Sequence, residues 1–386
     1  MDRDDYNGLN LSHVAIHNSL NRNAGDTLLP QSVRALFDTV GASFGWRLDQ
    51  VWEEMGRDVV DVLNHSTQGL VIGGGGFIIR DQQGGNTANS GWLWNISLEN
   101  LAKLQVPVIL FAIGYNRFRG QPDFDENFKV HINEVVHKAL FVGMRNTGSI
   151  NKLARYLESD SLKDKLRLQF CPTTVAWQIF PHIAQLALDF EARTRKKPVL
   201  AFNFAYDRPS MRFGDMEDQI LKRLALVMKC IEESGWDIVL TAHKVIDRAI
   251  ETYLDNAKVN YATHDLTEAT HLEVMKHYAQ CDFAIGMRGH GQMIPFGMRR
   301  PIISLISHDK MGYFLEDIGH PEWGVELGDE NLVETLWQRF KQHAIDEIEE
   351  TKRQVEDAQN VVWQQSRENV AWIVAQLKSR DGNRLK

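Results

Sequence analysis

At 386 residues the chain is too long for one ordinary core; at about 100–200 residues per domain, two domains are expected. Its composition, 43% apolar and 24% charged, is that of a globular protein and excludes a mostly disordered one. A formal net charge of −8 argues against a protein held to nucleic acid by bulk charge.

Short apolar runs alternate with helical patterns along the chain. Val14–His17 precedes a helix over Ala24–Val40, and Gly69–Ile72 precedes a glycine run. Val106–Ile113 precedes a helical stretch around Phe124–Leu140, and Phe141–Met144 precedes Thr147–Leu157. This alternation predicts parallel strands with crossover helices. Glu191–Lys197 (EARTRKK) is a charged run and reads as a linker. The pattern then restarts with strands at Pro198–Phe204, Trp236–Thr241, Val259–Thr263, Asp282–Met287 and Pro301–Ile306. Helices are expected at Met216–Ser234, Val245–Asn256 and Glu268–Gln280.

Residues 331–379 contain no Gly and no Pro. Val333, Trp337, Phe340, Ala344, Ile348, Val355, Ala358 and Val362 form an amphipathic stripe there. One continuous helix of that length would span ~70 Å, so a break is expected, or a return onto the first domain. The reading is therefore α/β, with an N-terminal domain 1–190, a linker 191–197, a C-terminal domain 198–330 and a helical segment 331–386.

The longest apolar run, Val106–Gly114, is far short of the ~20 residues of a membrane span. The polar, acidic N-terminus does not resemble a signal peptide. Cys171, Cys230 and Cys281 are widely separated, with no CxxC and no HExxH. That argues against a disulfide framework or a structural zinc site and fits a reducing compartment.

The glycine run Gly73-Gly74-Gly75-Gly76 matches neither a dinucleotide fingerprint, since Ile78 holds the third position, nor a P-loop. It is either a tight turn or a backbone cradle for a ligand. Asn21 to Asp26 lies between a strand and a helix, where Asn23 or Asp26 can cap the helix or help bind a hydroxyl or an anion. Gly84, Gly85, Asn86, Gly91, Trp92 and Trp94 form a glycine-rich loop whose indoles are core or a sugar platform.

The most informative stretch is Gly286-Met287-Arg288-Gly289-His290-Gly291, at the end of a buried strand. Ligands of open α/β sheets bind beyond the carboxyl ends of the strands. Arg288 brings a fixed charge in a planar fork, and His290 a group that moves protons near neutral pH. The next strand ends at Ser307-His308-Asp309-Lys310. Arg145, Arg208 and Arg212 also follow strands. Together they predict a site for an anionic ligand. Apart from Asp309, these motifs offer no clear acidic candidate near Arg288.

These motifs, in this order, resemble the polysaccharide pyruvyl transferase family. Asn23-Ala24-Gly25-Asp26 looks like its N-x-G-D segment and VIGGGGFI like its glycine run. VPVILFAIGYN, which carries Asn116, looks like the strand that follows. Arg145 with Ser149 looks like its R-x-x-x-S element, Gly286–Gly291 like its G-x-R-x-H signature, and PIISLISHDK like its later strand. Two positions depart: Gly289, where the family often has Leu, and Cys171-Pro172-Thr173, where Pro-Asp is common. The first departure opens space beside the site.

The resemblance implies two Rossmann-like domains facing a cleft, similar to GT-B glycosyltransferases. The donor would be phosphoenolpyruvate, bound on the C-terminal domain. The product would be a pyruvate ketal on a saccharide acceptor, free, lipid-linked or nucleotide-linked, held by the N-terminal domain. Arg288 and His290 would be catalytic. Arg145, Arg208, Arg212, Arg288, His308 and Lys310 would hold the donor; Asn23, Asp26, Gly74, Gly75, Trp92, Trp94 and Asn116 would meet the acceptor. No metal, cofactor, nucleic acid or transmembrane segment is implied, and the setting would be the cytoplasm or the inner membrane face. The competing readings are a nucleotide-sugar glycosyltransferase on the same fold, which would want a carboxylate for the ribose, and a non-catalytic binder of phosphorylated sugars, which would tolerate loss of His290.

Overall fold

A computed structural model of the chain describes residues 8–16, 22–48, 53–81 and 85–384. His17, Asn21 and Gly84, named above, lie outside them. The chain forms two compact units. The first comprises residues 1–21, 29–172 and 364–386, and the second residues 22–28 and 173–363.

Among the described residues the first unit holds six strands: β1 (Leu9–Val14), β2 (Ala42–Leu48), β3 (Leu70–Ile78), β4 (Val108–Tyr115), β5 (Ala139–Met144) and β6 (Leu166–Leu168). All neighbours pair in parallel, in the order β2-β1-β3-β4-β5-β6. Every position of β4 is buried, as a central strand covered on both faces requires. Helix α1 (Ala24–Asp38) follows β1; its first turn counts with the second unit. Helices α2 (Arg57–Ser66), α3 (Leu98–Lys103), α4 (Glu126–Lys138) and α5 (Thr147–Ala154) complete the unit's larger elements. Asp125 and Asn146 cap α4 and α5, accepting from Phe128 N at 3.1 Å and Ser149 N at 2.7 Å.

The second unit repeats the plan with β7 (Val199–Asn203), β8 (Asp237–Ala242), β9 (Tyr261–Asp265), β10 (Phe283–Gly286), β11 (Ile302–Ile306) and β12 (Gly324–Glu326). The order is β12-β11-β10-β7-β8-β9, again parallel. Strand order reverses between β7 and β10 here, and between β1 and β3 in the first sheet. Such switch points are where ligands enter open α/β sheets. The helices are α6 (Pro181–Glu191), α7 (Pro209–Phe213), α8 (Glu217–Glu233), α9 (Glu251–Asn256), α10 (His271–Ala279), α11 (Gly289–Gly297), α12 (Asp309–Asp317), α13 (Leu332–Phe340) and α14 (Ile348–Arg384).

Four expectations need correction. The first strand ends at Val14 rather than starting there. The glycine run lies inside β3 instead of after it. β2 was not foreseen; its mixed sequence, ASFGWRL, sits at a sheet edge where no long apolar run is needed. The charged run 191–197 is a turn pinned onto the second unit: Arg195 donates to both oxygens of Asp282 (2.5 and 2.8 Å) and lies over the Phe190 ring. The change of unit falls instead at residues 172–173.

The C-terminal stripe is a core face, with Phe340, Ala344, Val355, Ala358 and Val362 buried. A π-helical turn at Lys341–Asp346 interrupts it, which supplies the expected break without Gly or Pro. From Gln364 onward α14 packs in the first unit, where Asn369 Nδ2 donates to Leu168 O (2.9 Å) and to Gln169 Oε1 (3.0 Å).

Candidate active site

The carboxyl edge of the second sheet is tied together by a buried amide. Asn203, closing β7, donates through Nδ2 to Thr241 O on β8 (2.9 Å) and accepts from the backbone N of Arg288 after β10 (3.1 Å). A Cβ at Gly291 would fall 2.0 Å from Asn203 Oδ1. The second glycine of the Gly286–Gly291 motif therefore lets α11 start against the sheet.

Arg288, only 7% exposed, is clamped by two carboxylates. Its Nε donates to Asp247 Oδ2 at 2.7 Å, Nη2 also bonds Asp247, and Nη1 lies 2.8 Å from Asp207 Oδ1. Asp247 is fully buried and also accepts from the backbone N of His243 (3.1 Å), Lys244 (3.0 Å) and Tyr206 (3.3 Å). Asp207 also receives Arg212 Nη2 (3.1 and 3.2 Å), while Arg212 Nη1 donates to Ser307 Oγ at 2.6 Å. Burial alone would raise the Asp207 carboxyl. The charges of Arg288, Arg212, Lys310 and Lys244 outweigh it and hold the group well below the carboxylate range. Burial would likewise weaken the Arg288 charge, but Asp247 and Asp207 raise it above the ordinary guanidinium value.

Two residues of the predicted set come together through a third that it lacked, Asp207 linking Arg288 to Arg212. Lys310, in the first turn of α12, joins them through its field at Asp207. Arg208 is the half-buried residue before α7, held at φ +57°, a left-handed conformation uncommon outside Gly and frequent at functional sites. His308 is 2% exposed and caps α12, its Nδ1 accepting from Lys310 N at 3.3 Å.

Residues 22–28 belong to this unit. Asn23 Oδ1 accepts from Gly25 N (3.0 Å), closing an Asx turn. Ala24 N donates to His243 O (3.2 Å), and Arg22 is ion-paired with Glu268. The turn sets Gly25 against the imidazole of His290: a Cβ there would fall 2.1 Å from Nδ1. Asp26 Oδ1 is 4.0 Å from the same nitrogen. Asn23 therefore shapes the backbone, and Asp26 faces the histidine.

The acceptor-side residues fare differently. Trp92 and Trp94 are 0% and 1% exposed in the first unit's core, packed edge to face with each other. Trp92 Nε1 donates to His131 Nδ1 at 2.9 Å. They are core residues, so the sugar platform is withdrawn. Gly74 and Gly75 are buried too. A Cβ at Gly74 would meet Leu29 Cδ1 at 3.2 Å, and one at Gly75 would meet Ile16 Cγ2 at 2.8 Å. These glycines make room for the protein's own side chains, not for a ligand. Half-exposed Gly76 does adjoin Asn116, whose Nδ2 would lie 3.1 Å from a Cβ there. Arg145 also belongs to the first unit, buried across Gly114. Thr173, at the departure from Pro-Asp, is buried with its carbonyl against Gly297.

Reading the motifs missed Asp207, Asp247, His243 and Lys244. The expectation that only Asp309 could stand near Arg288 fails, because carboxylates following β7 and β8 reach it through the fold. Asp207 in FNFAYD and His243-Lys244 in IVLTAHK follow apolar runs, the same signal that picked out Arg288. Asp247, in a 3-10 turn, carried no signal. His243 is fully buried, and its Nε2 lies 2.7 Å from Tyr278 Oη. Burial, then the Arg288 charge and His290, keep it neutral, well below the ordinary histidine value.

Solved structures of known proteins share this fold. A glycosyltransferase from Rickettsia africae matches with a TM-score of 0.56 at 12% identity, covering 96% of this chain and 99% of that one. UDP-GlcNAc 2-epimerase from Neisseria meningitidis gives 0.54 at 9%, covering 96% and 100%. Sucrose-phosphate synthase from Thermosynechococcus elongatus gives 0.51 at 12%, covering 96% and 98%. At such identities the likeness shows the fold alone, a GT-B-like pair of α/β units with a C-terminal helix. Among curated protein sequences, none matches. The sequence model of the polysaccharide pyruvyl transferase family matches residues 23–309, from the turn that carries Asp26 to the first residue of α12. That span takes in the strand-end motif that carries Arg288 and His290, and the chain belongs to the polysaccharide pyruvyl transferase family.

Proposed function

We propose that the protein transfers the enolpyruvyl group of phosphoenolpyruvate to two hydroxyls of one saccharide, forming a pyruvate ketal and releasing phosphate. One observation carries this reading: the arginine and histidine of the family signature stand at the switch point of the second sheet, in a cluster of fixed positive charge. A donor with a carboxylate and a phosphate needs such a cluster. In this reading Arg288, Arg212 and Lys310 hold the donor anions, with Arg208 and His308 beside them. Asp247 and Asp207 preorganise the guanidinium groups.

The first turn of α11 adds to this. Arg288 precedes it without a side-chain cap, and a Cβ at Gly289 would meet nothing within 4 Å. Backbone N–H groups beside open space favour an anion. Protonating the methylene carbon of the donor makes its C2 electrophilic. One sugar hydroxyl adds there, phosphate departs with the C–O bond electrons, and the second hydroxyl closes the ketal. His290 moves the protons. The acceptor is a saccharide, free or carried on a lipid or nucleotide.

No helix among the described residues is long and apolar enough to cross a membrane. We place the reaction in the cytoplasm or at the inner membrane face, with no cofactor beyond the co-substrate.

A nucleotide-sugar glycosyltransferase is the second reading, and Asp207 favours it: a carboxylate 32% exposed beside Arg288 is what a ribose would want. Ligand-dependent melting separates the two. A ligand at ~100 times its Kd adds ~2.7 kcal/mol. Stabilisation by phosphoenolpyruvate but not by UDP, followed by phosphate release with a glycan acceptor, supports pyruvyl transfer. Stabilisation by UDP compounds alone overturns it.

A further inference from the structure

Three features stand out besides the donor cluster. A cleft of about 500 Å³ between α10 and the sheet is lined by His264, His277, Glu268 and Glu273. Its acids are already engaged: Glu268 with Arg22, and Glu273 in the cap of α10. The exposed Val361 and Trp372 on α14 have nothing that says what covers them. The segment 22–28 against His290 is different, because several independent contacts fix it there.

We infer that Asp26 is the positioning residue of His290: its carboxylate, within ion-pair range of Nδ1, favours the tautomer with its proton on that side and leaves Nε2 as the nitrogen that exchanges protons with the substrate. This deepens the reading above and rests on it for the reaction, but not for the pairing itself. The Asx turn at Asn23, the Ala24–His243 bond and the Arg22–Glu268 pair fix the backbone from three sides. Gly25 lets that backbone touch the imidazole edge, so Asp26 reaches Nδ1 at 4.0 Å. A histidine partnered in this way keeps a defined tautomer and a more basic outer nitrogen.

The charges around the ring support one sign. Arg288 precedes it on its own element, and His243 and Lys244 face the cluster from β8. Fully buried His243 stays neutral, and Asp26 also acts on Arg288 and Lys244. Asp26 is thus the acid that offsets these cations from the side of α1, while Asp207 and Asp247 offset Arg288 from β7 and β8. The field at His290 should change most when Asp26 is lost. This replaces the expectation that Asp26 binds the acceptor.

The test is Asp26→Asn with Asp26→Glu beside it, read in two ways. The first follows the His290 imidazole in ¹H–¹³C spectra through a pH titration, with His290→Gln identifying the signal; no substrate is needed. The second is the pH–rate profile with phosphoenolpyruvate and an acceptor. With Asn the His290 midpoint and the limb of the profile should both move to lower pH, by about one pH unit. kcat should fall about tenfold or more, with little change in acceptor KM, and Glu should recover part of the loss. An unmoved midpoint in a folded Asn variant overturns the pairing whatever the reaction. A raised acceptor KM with unchanged kcat overturns it in favour of acceptor binding. A shifted midpoint in a protein that releases no phosphate from phosphoenolpyruvate keeps the pairing and sinks pyruvyl transfer.

Discussion

The carboxyl edges of the two sheets are built in opposite ways. In the first unit the edge is packed shut, and its arginines Arg34 and Arg145 are themselves buried. Gly73 in β3 has φ +136°, and a Cβ there would fall 2.0 Å from Phe111 O. Beneath it His13 Nε2 bonds Gly73 O, and Arg34 Nε donates to His13 Nδ1 at 3.2 Å. In the second unit the same edge carries Arg288, Arg212, Lys244 and Lys310 interleaved with Asp207 and Asp247. One topology thus supports two edges, one in which glycines admit the protein's own atoms and one that interleaves cations with carboxylates. Fold alone does not assign function; the site residues do.

That contrast can be broken most forcefully at Arg288. Arg288→Ala leaves Asp247 buried without its partner, which costs about 3–5 kcal/mol. Urea denaturation should show the loss, and donor-dependent stabilisation should vanish. Arg288→Lys should recover much of the stability but not the bidentate contact, so activity should stay low. Equal activity in the Lys variant would mean that only charge matters at this edge.

His290→Ala should next cost at least ~10²-fold in kcat while the melting point and donor binding barely move. Near-normal turnover would remove His290 from the mechanism. On the first edge, Gly73→Ala should destabilise by about 1–3 kcal/mol through overpacking and leave donor binding on the second unit unchanged. A lost donor response there would show that the two edges do not act separately.

A finer contrast lies in pH. In the first unit burial pushes His131 down to about 4. Trp92 Nε1 donates to its Nδ1, and its Nε2 donates to Ile96 O at 2.9 Å, so a second ring proton would face an N–H. The unfolded chain binds that proton near pH 6.5, while the folded one does not until about pH 4. Stability contributed by neutral His131 should therefore be complete above pH 6.5 and lost as pH falls toward 4. His131→Gln should flatten that slope in denaturation curves, and an unchanged slope would place the acid sensitivity elsewhere.

The smallest effect on stability is expected at Gly289→Leu, where a Cβ would meet no protein atom within 4 Å. Its consequence should appear in substrate choice instead: weaker binding of bulky acceptors with the melting point unchanged. A large loss of stability would show that the space is already filled.

Much of this was legible in the chain. Two α/β units, the strands around β4, β7, β8, β10 and β11, and the C-terminal stripe follow from apolar periodicity, because burial on both faces of a parallel sheet demands it. Arg288 and His290 were legible because a charged pair directly after a buried strand has little structural reason to be there. β2 was not, since an edge strand needs no long apolar run. Trp92 and Trp94 were misread for a related reason: a Gly- and Asn-rich context looks like a loop whether or not its indoles turn inward.

By itself the sequence determined the kind of elements, the strand ends that carry charge and the family they resemble. It did so because each of these is a local pattern of a few residues. Only the tertiary structure decided that Asp207 and Asp247 clamp Arg288, that His243 stands behind it, and that Asp26 comes to His290. Those pairings join residues on different strands and helices, and no local pattern encodes which loops a sheet brings to the same edge.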